Sequence, residues 1–130
     1  MTTPPLVVLV DDDLSVRRAL RRLVSSAGYD VRTFASAREL LDSGAAEDAS
    51  CFVLDIHLGR VSGFELLSRL RAAGSTVPAI FITAFDDGES RERARAAGAA
   101  GFLRKPFDGS ALLDGLAEAL AIRPDGDKRA

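Results

Sequence analysis

The chain alternates short apolar runs with longer segments in which apolar residues recur every three or four positions. The runs are Leu6 to Val10, Tyr29 to Phe34, Cys51 to Leu54, Pro78 to Ile82 and Gly101 to Arg104. Runs of this length between polar or glycine boundaries read as strands, and their alternation with helical periods predicts a parallel sheet with helices on both faces. After the first run, Val16, Ala19, Leu20, Leu23, Val24 and Ala27 form the apolar stripe of a helix that Asp13 caps and Gly28 stops. Ser36 with Glu39 is a capping-box pattern for a short helix ending near Gly44. Phe64, Leu66, Leu67 and Leu70 line a third helix stopped by Gly74, and Asp86 or Asp87 can cap a fourth over 89–97. Asp108 can cap the last helix, which Leu112, Leu113, Leu116 and Leu120 bury. The fourth helix offers only Ala94, Ala96 and Ala97 as an inner seam, so it is expected to be held less firmly than the first.

Chemistry gathers where the runs end. Asp11, Asp12 and Asp13 follow the first run, Asp55 ends the third, Thr83 ends the fourth and Lys105 follows the fifth. In an open parallel sheet these carboxyl ends share one crevice, the usual place for a ligand. Like charges about 4 Å apart repel by about 4 kcal/mol at an effective dielectric near 20, so converging acids call for a bound cation or raised pKa values. A small hard cation meets that need. Acid, metal, hydroxyl and ammonium together suit phosphoryl transfer.

Composition narrows the picture. A chain of 130 residues fits one domain able to stand without disulfides. Its single Cys51 lies in an apolar run and reads as a small core residue, which points to a reducing, cytoplasmic setting. Seventeen Lys plus Arg against nineteen Asp plus Glu give a net charge of −2, which argues against direct nucleic-acid binding by the domain as a whole. No apolar stretch approaches the roughly 20 residues of a membrane span, and no signal peptide is evident. Arg17, Arg18, Arg21 and Arg22 lie mostly off the first helix's stripe, as a solvated face or a docking patch for an acidic partner. His57 has none of the companions of a zinc site and reads as a solvent-facing loop residue.

A strand before Asp11-Asp12, a strand ending in Asp55, a strand ending in Thr83-Ala84, and Lys105-Pro106-Phe107 stand in one order along the chain. In that order and spacing the chain resembles the receiver domain of two-component response regulators, the CheY-like class, from Leu6 to Ile122. The resemblance implies a flavodoxin-like, doubly wound, five-stranded parallel sheet of order 2-1-3-4-5 with five helices. It divides the chain into an N-terminal extension at 1–5, the receiver domain at 6–122, and a disordered tail or linker start at 123–130. It also implies a phosphorelay component rather than an enzyme, taking a phosphoryl group from a histidine kinase or phosphotransfer protein onto Asp55. Mg²⁺ would be held by Asp12, Asp55 and the backbone carbonyl of His57, with Asp11 acting largely through water. Lys105 and Thr83 would bind phosphoryl oxygens, Ala84 would leave room for the group, and Phe102 would occupy the aromatic switch position. Lys105-Pro106 would be a cis peptide bond. Output would run to a partner, or to a second copy of the chain, through the face made by helix four, strand five and helix five. The loop from His57 to Gly63 lacks the proline the family often carries, which leaves its stiffness open.

Two other readings compete. Asp11-Asp12-Asp13 contains the Asp-x-Asp of haloacid-dehalogenase-type phosphatases, with Asp11 as nucleophile, but no acidic pair follows Lys105 and Asp55 would have no task. A binding module that works without phosphorylation would have no use for the complete acid, Thr and Lys set.

Overall fold

In a computed structural model, which describes residues 3–85 and 88–121, five parallel strands form one sheet. We label them β1 (Leu6–Val10), β2 (Asp30–Phe34), β3 (Cys51–Asp55), β4 (Ala79–Thr83) and β5 (Gly101–Arg104). Their order across the sheet is β2-β1-β3-β4-β5, the doubly wound order expected from the sequence. The helices are α1 (Leu14–Ser26), α2 (Ala37–Ser43), α3 (Gly63–Ala72), α4 (Gly88–Ala96) and α5 (Gly109–Leu120).

Strand alternation sorts the core into two layers. Val8, Val10, Phe52, Leu54 and Phe81 face one side, where Leu40 of α2, Leu66, Leu67 and Leu70 of α3, and Ala94 of α4 cover them. Val7, Leu9, Cys51, Val53, Ile80 and Ile82 face the other, under Leu20 and Val24 of α1 and Leu112, Leu116 and Ala119 of α5. Every residue of β3 is buried, as befits a central parallel strand covered on both faces. Register then sets the site. Val10 lies beside Leu54 and Thr83 beside Arg104, so Asp11 comes next to Asp55 and Lys105 follows Thr83 at the same edge.

The caps are local. Asp13 accepts hydrogen bonds from the Ser15 and Val16 N–H groups at the start of α1. Ser36 accepts from the Glu39 N–H, while the Glu39 carboxylate reaches back past the cap to the Ala35 N–H at 3.1 Å. Asp108 stands at the cap of α5 without a side-chain bond to the helix. Asp86 and Asp87, the expected caps of α4, lie outside the described residues, as do the 122 boundary and the 123–130 tail.

Three sequence expectations need correction. The stripe of α1 is narrower than its spacing implies: Leu20 and Val24 are buried and Val16 and Leu23 half-buried, but Ala19 and Ala27 are exposed because a single methyl at the edge of the arc does not reach the core. Ala96 and Ala97 are exposed too, which leaves Ala94 as the one buried residue of α4. The segment after Asp55 is a hairpin rather than an open loop. His57–Leu58 pairs antiparallel with Val61–Ser62 around a two-residue turn, and Gly59 takes φ +80 at the first turn position, where a glycine suits a tight hairpin.

Candidate functional site

Four strand ends and one hairpin build the site. Asp11 follows β1 and is fully buried; its backbone N–H donates to the Phe34 carbonyl and its own carbonyl accepts from the Arg17 guanidinium at 2.8 Å. Arg17 is therefore tied to the acid end, a role that its place among four helix arginines concealed. Asp11 Oδ1 accepts the Asp13 N–H at 2.9 Å, and Oδ2 accepts Lys105 Nζ at 2.7 Å. Asp55 is also buried; its Oδ1 accepts the His57 N–H at 3.1 Å and its Oδ2 lies 3.4 Å from Lys105 Nζ. One ammonium thus spans both buried carboxylates. Asp12 is exposed, and one oxygen from each of Asp11, Asp12 and Asp55 lies within 4.8 Å of the others, a grouping able to hold a cation.

Charge follows this geometry. Burial raises the Asp55 carboxyl above its ordinary value and the nearby Asp11 raises it further, against the lowering effects of the His57 N–H and Lys105. Burial alone would lower the Lys105 ammonium, but its hydrogen bond to Asp11 and the charges of Asp55 and Asp11 raise it overall. Both shifts describe acids crowded in low dielectric with one cation among them. Cys51, buried in β3, has its thiol pushed up to about 12 and is an inert core residue.

Two contacts close to Asp55 carry no obvious sequence signal. Gly63, the first residue of α3, packs so tightly on Asp55 that a Cβ there would run into the Asp55 carbonyl oxygen. Its N–H donates to the Ile56 carbonyl at 2.8 Å. Ser62 caps α3 through the Glu65 N–H, and here the Ser-x-x-Glu spacing was a readable signal.

Thr83 is fully buried, and its hydroxyl both donates to the Phe85 carbonyl and accepts the Phe85 N–H, each at 3.0 Å. Its backbone carbonyl accepts the Lys105 N–H at 2.7 Å, which ties β4 to β5 at the site. Ala84 is exposed and lines a small apolar hollow with Leu20, Lys105, Pro106 and Phe107. Lys105-Pro106 is cis, as expected. His57 is exposed and its ring meets the exposed Phe85 edge-on at 5.2 Å. Phe102 is half-buried against the α3 and α4 layer, with the Arg91 guanidinium 4.8 Å above its ring. Of the residues singled out by sequence, Asp11, Asp12, Asp55, Thr83 and Lys105 converge at one edge, while Phe102 stands away from it on β5.

A family model described as the response regulator receiver domain matches residues 7–117. The transcriptional regulatory protein TdiR of Thauera aromatica is 40% identical over 124 residues, covering 95% of this chain and 55% of that protein. Nodulation protein W of Bradyrhizobium diazoefficiens is 41% identical over 118 residues, covering 91% of this chain and 52% of its own. The chain spans about half the length of these curated relatives. Among solved structures, a response regulator receiver protein from Burkholderia phymatum is 43% identical with a TM-score of 0.79, covering 92% of this chain and 97% of that one. The chemotaxis protein CheY4 of Vibrio cholerae is 29% identical with a TM-score of 0.83, covering 90% and 99%. No helix among the described residues is long and apolar enough to cross a membrane. The sheet order, the acids at its carboxyl edge and the match over nearly the whole fold agree: the chain belongs to the response regulator receiver domain family.

Proposed function

We propose that this chain is a phosphoacceptor switch whose Asp55 takes a phosphoryl group from a phosphohistidine on a partner kinase or phosphotransfer protein. The observation that carries this reading is the convergence of Asp11, Asp12 and Asp55 with Lys105 spanning two of them. An Asp55 oxygen attacks phosphorus, the bond from phosphorus to the imidazole nitrogen breaks, and the electron pair returns to the ring. Asp12, Asp55 and the His57 carbonyl would hold Mg²⁺, with Asp11 acting largely through water, a set of hard oxygens that suits this ion. When bound, Mg²⁺ neutralises the acids and the charge of the incoming group. Lys105 follows the transferred charge from carboxylate to phosphoryl oxygen, and Thr83 turns its hydroxyl to another. Ala84, with a single methyl, leaves space for the group.

To donate to the phosphoryl group, Thr83 takes its hydroxyl proton away from the carbonyl of Phe85, the segment that leads toward α4. Phe102 then follows into the space left behind, and the α4, β5 and α5 face changes shape for an output partner or a second copy of the chain. The setting is cytoplasmic, the receiver unit runs from residue 6 to 122, and this domain does not itself bind nucleic acid. A phosphatase reading on Asp11 is disfavoured because no acidic pair follows Lys105 and Asp55 would have no task.

Incubation with acetyl phosphate and Mg²⁺, followed by intact mass measurement, tests the reading. Wild type should gain one phosphoryl group and Asp55→Asn none, while the variant keeps its circular dichroism spectrum and melting behaviour. Wild-type stoichiometry on Asp55→Asn would overturn the assignment.

A further inference from the structure

An open groove of about 630 Å³ lies between α2, the hairpin and α3. Its apolar lining includes Leu41, Leu58 and Val61, and its charged lining is Arg38, Arg60 and Arg69 against the single carboxylate of Asp42. Leu41 is 40% exposed, one of only three large apolar side chains exposed to that degree among the described residues. Arg38 pairs with Asp42 at 3.6 Å and Arg69 with Glu65 at 2.8 Å, both in the open. Such pairs are weak enough for an incoming carboxylate to take over. Arg60, at the hairpin tip, makes no ion pair among the described residues.

The chemistry of the groove selects its occupant. A small polar metabolite needs convergent donors and acceptors on the floor. Here the floor is apolar, and the Ser36 hydroxyl is already accepting the Glu39 N–H. An apolar strip edged by three guanidinium groups and one carboxylate, Asp42, carries a net positive rim and is complementary to leucine-sized side chains flanked by carboxylates. We propose that this groove docks an acidic, leucine-bearing segment of a partner protein. The groove is separate from the α4, β5 and α5 face and does not depend on the phosphoacceptor reading. It nevertheless touches that chemistry at one remove. Leu58 and Val61 are cross-strand partners in the hairpin whose His57 N–H holds Asp55 Oδ1, so a docked segment sits three residues from the acceptor.

The test uses the full chain and a fluorescein-labelled peptide, acetyl-Glu-Glu-Leu-Leu-Glu-Glu-Leu-amide, followed by anisotropy and by amide chemical shifts. Saturable binding is expected, with the largest shifts at Arg38, Leu41, Leu58, Arg60, Val61 and Arg69. Leu41→Asp and Arg60→Glu change exposed residues, and each should weaken binding at least tenfold without altering the melting temperature. A peptide with lysine in place of glutamate should regain affinity for Arg60→Glu relative to wild type. Absence of saturable binding, shifts centred on the α1 arginines, equal binding of leucine-free polyglutamate, or indifference to both variants would each overturn the proposal. So would groove shifts on concentrating the chain alone, since the occupant would then be a second copy.

Discussion

Helices α1 and α4 are both rich in arginine, yet they are attached to the molecule in opposite ways. α1 buries Leu20 and Val24, is capped by Asp13, and sends Arg17 back to the Asp11 carbonyl. α4 buries only Ala94 and lays its arginines over aromatic rings: Arg91 lies 4.8 Å from the Phe102 ring centre and Arg93 4.5 Å from that of Phe64. Exposed contacts of this kind contribute about 0.5–1 kcal/mol each, against about 1.5–3 kcal/mol for one buried leucine. The same residue type therefore locks one helix to the acid end and lets the other shift at small cost. The proposed switch uses both, a fixed site acting on a movable surface.

That contrast sets the scale of substitutions. Leu20→Ala on α1 should lower unfolding free energy by about 2–5 kcal/mol in urea titrations. Gly63→Ala should cost about 1–3 kcal/mol by driving a methyl into the Asp55 carbonyl, and should slow phosphorylation by acetyl phosphate as the acceptor shifts. Arg93→Ala should cost only about 0.5–1 kcal/mol, yet speed amide exchange in α4 while leaving α1 unchanged. Equal effects of Leu20→Ala and Arg93→Ala on global stability would erase the distinction between the helices.

The smallest effect is that of pH. Folded Asp55 keeps its proton to higher pH than the unfolded chain, so this group's contribution to stability falls as pH rises from the ordinary 3.8 through its folded value. Adding Mg²⁺ should flatten that fall. Lys105 acts at the other end of the scale: its contribution is complete below the ordinary 10.5 and lost as pH rises through the higher folded value. Denaturation midpoints measured across pH with and without Mg²⁺ check both signs, and a stability that rises with pH near the Asp55 transition in metal-free Lys105→Met would contradict the first.

The strands and the acid end were legible because they rest on period and position. Asp11, Asp55, Thr83 and Lys105 each end or follow an apolar run, and parallel pairing brings such ends together. Less legible was anything set by distance between elements. Nothing in the spacing of Arg17 marks it off from Arg18 or Arg21, since only the fold brings its guanidinium under the Asp11 carbonyl. Gly63 read as a loop glycine, although its reason is the missing methyl against Asp55. The weakness of α4 was readable as a shortage of large apolar residues; the rings that hold its arginines come from α3 and β5 and were not.

Hydrogen exchange before and after acetyl phosphate with Mg²⁺, in wild type and in Thr83→Ala, tests most directly whether the fixed site moves the loosely held helix. In wild type, exchange should change over α4 and β5 while α1 stays as it was. Thr83→Ala should become phosphorylated on Asp55 yet show no such change, because it keeps the acceptor and the metal ligands but loses the hydroxyl shared between Phe85 and the phosphoryl group. The same α4 response in both proteins, or a response confined to α1, would contradict the coupling.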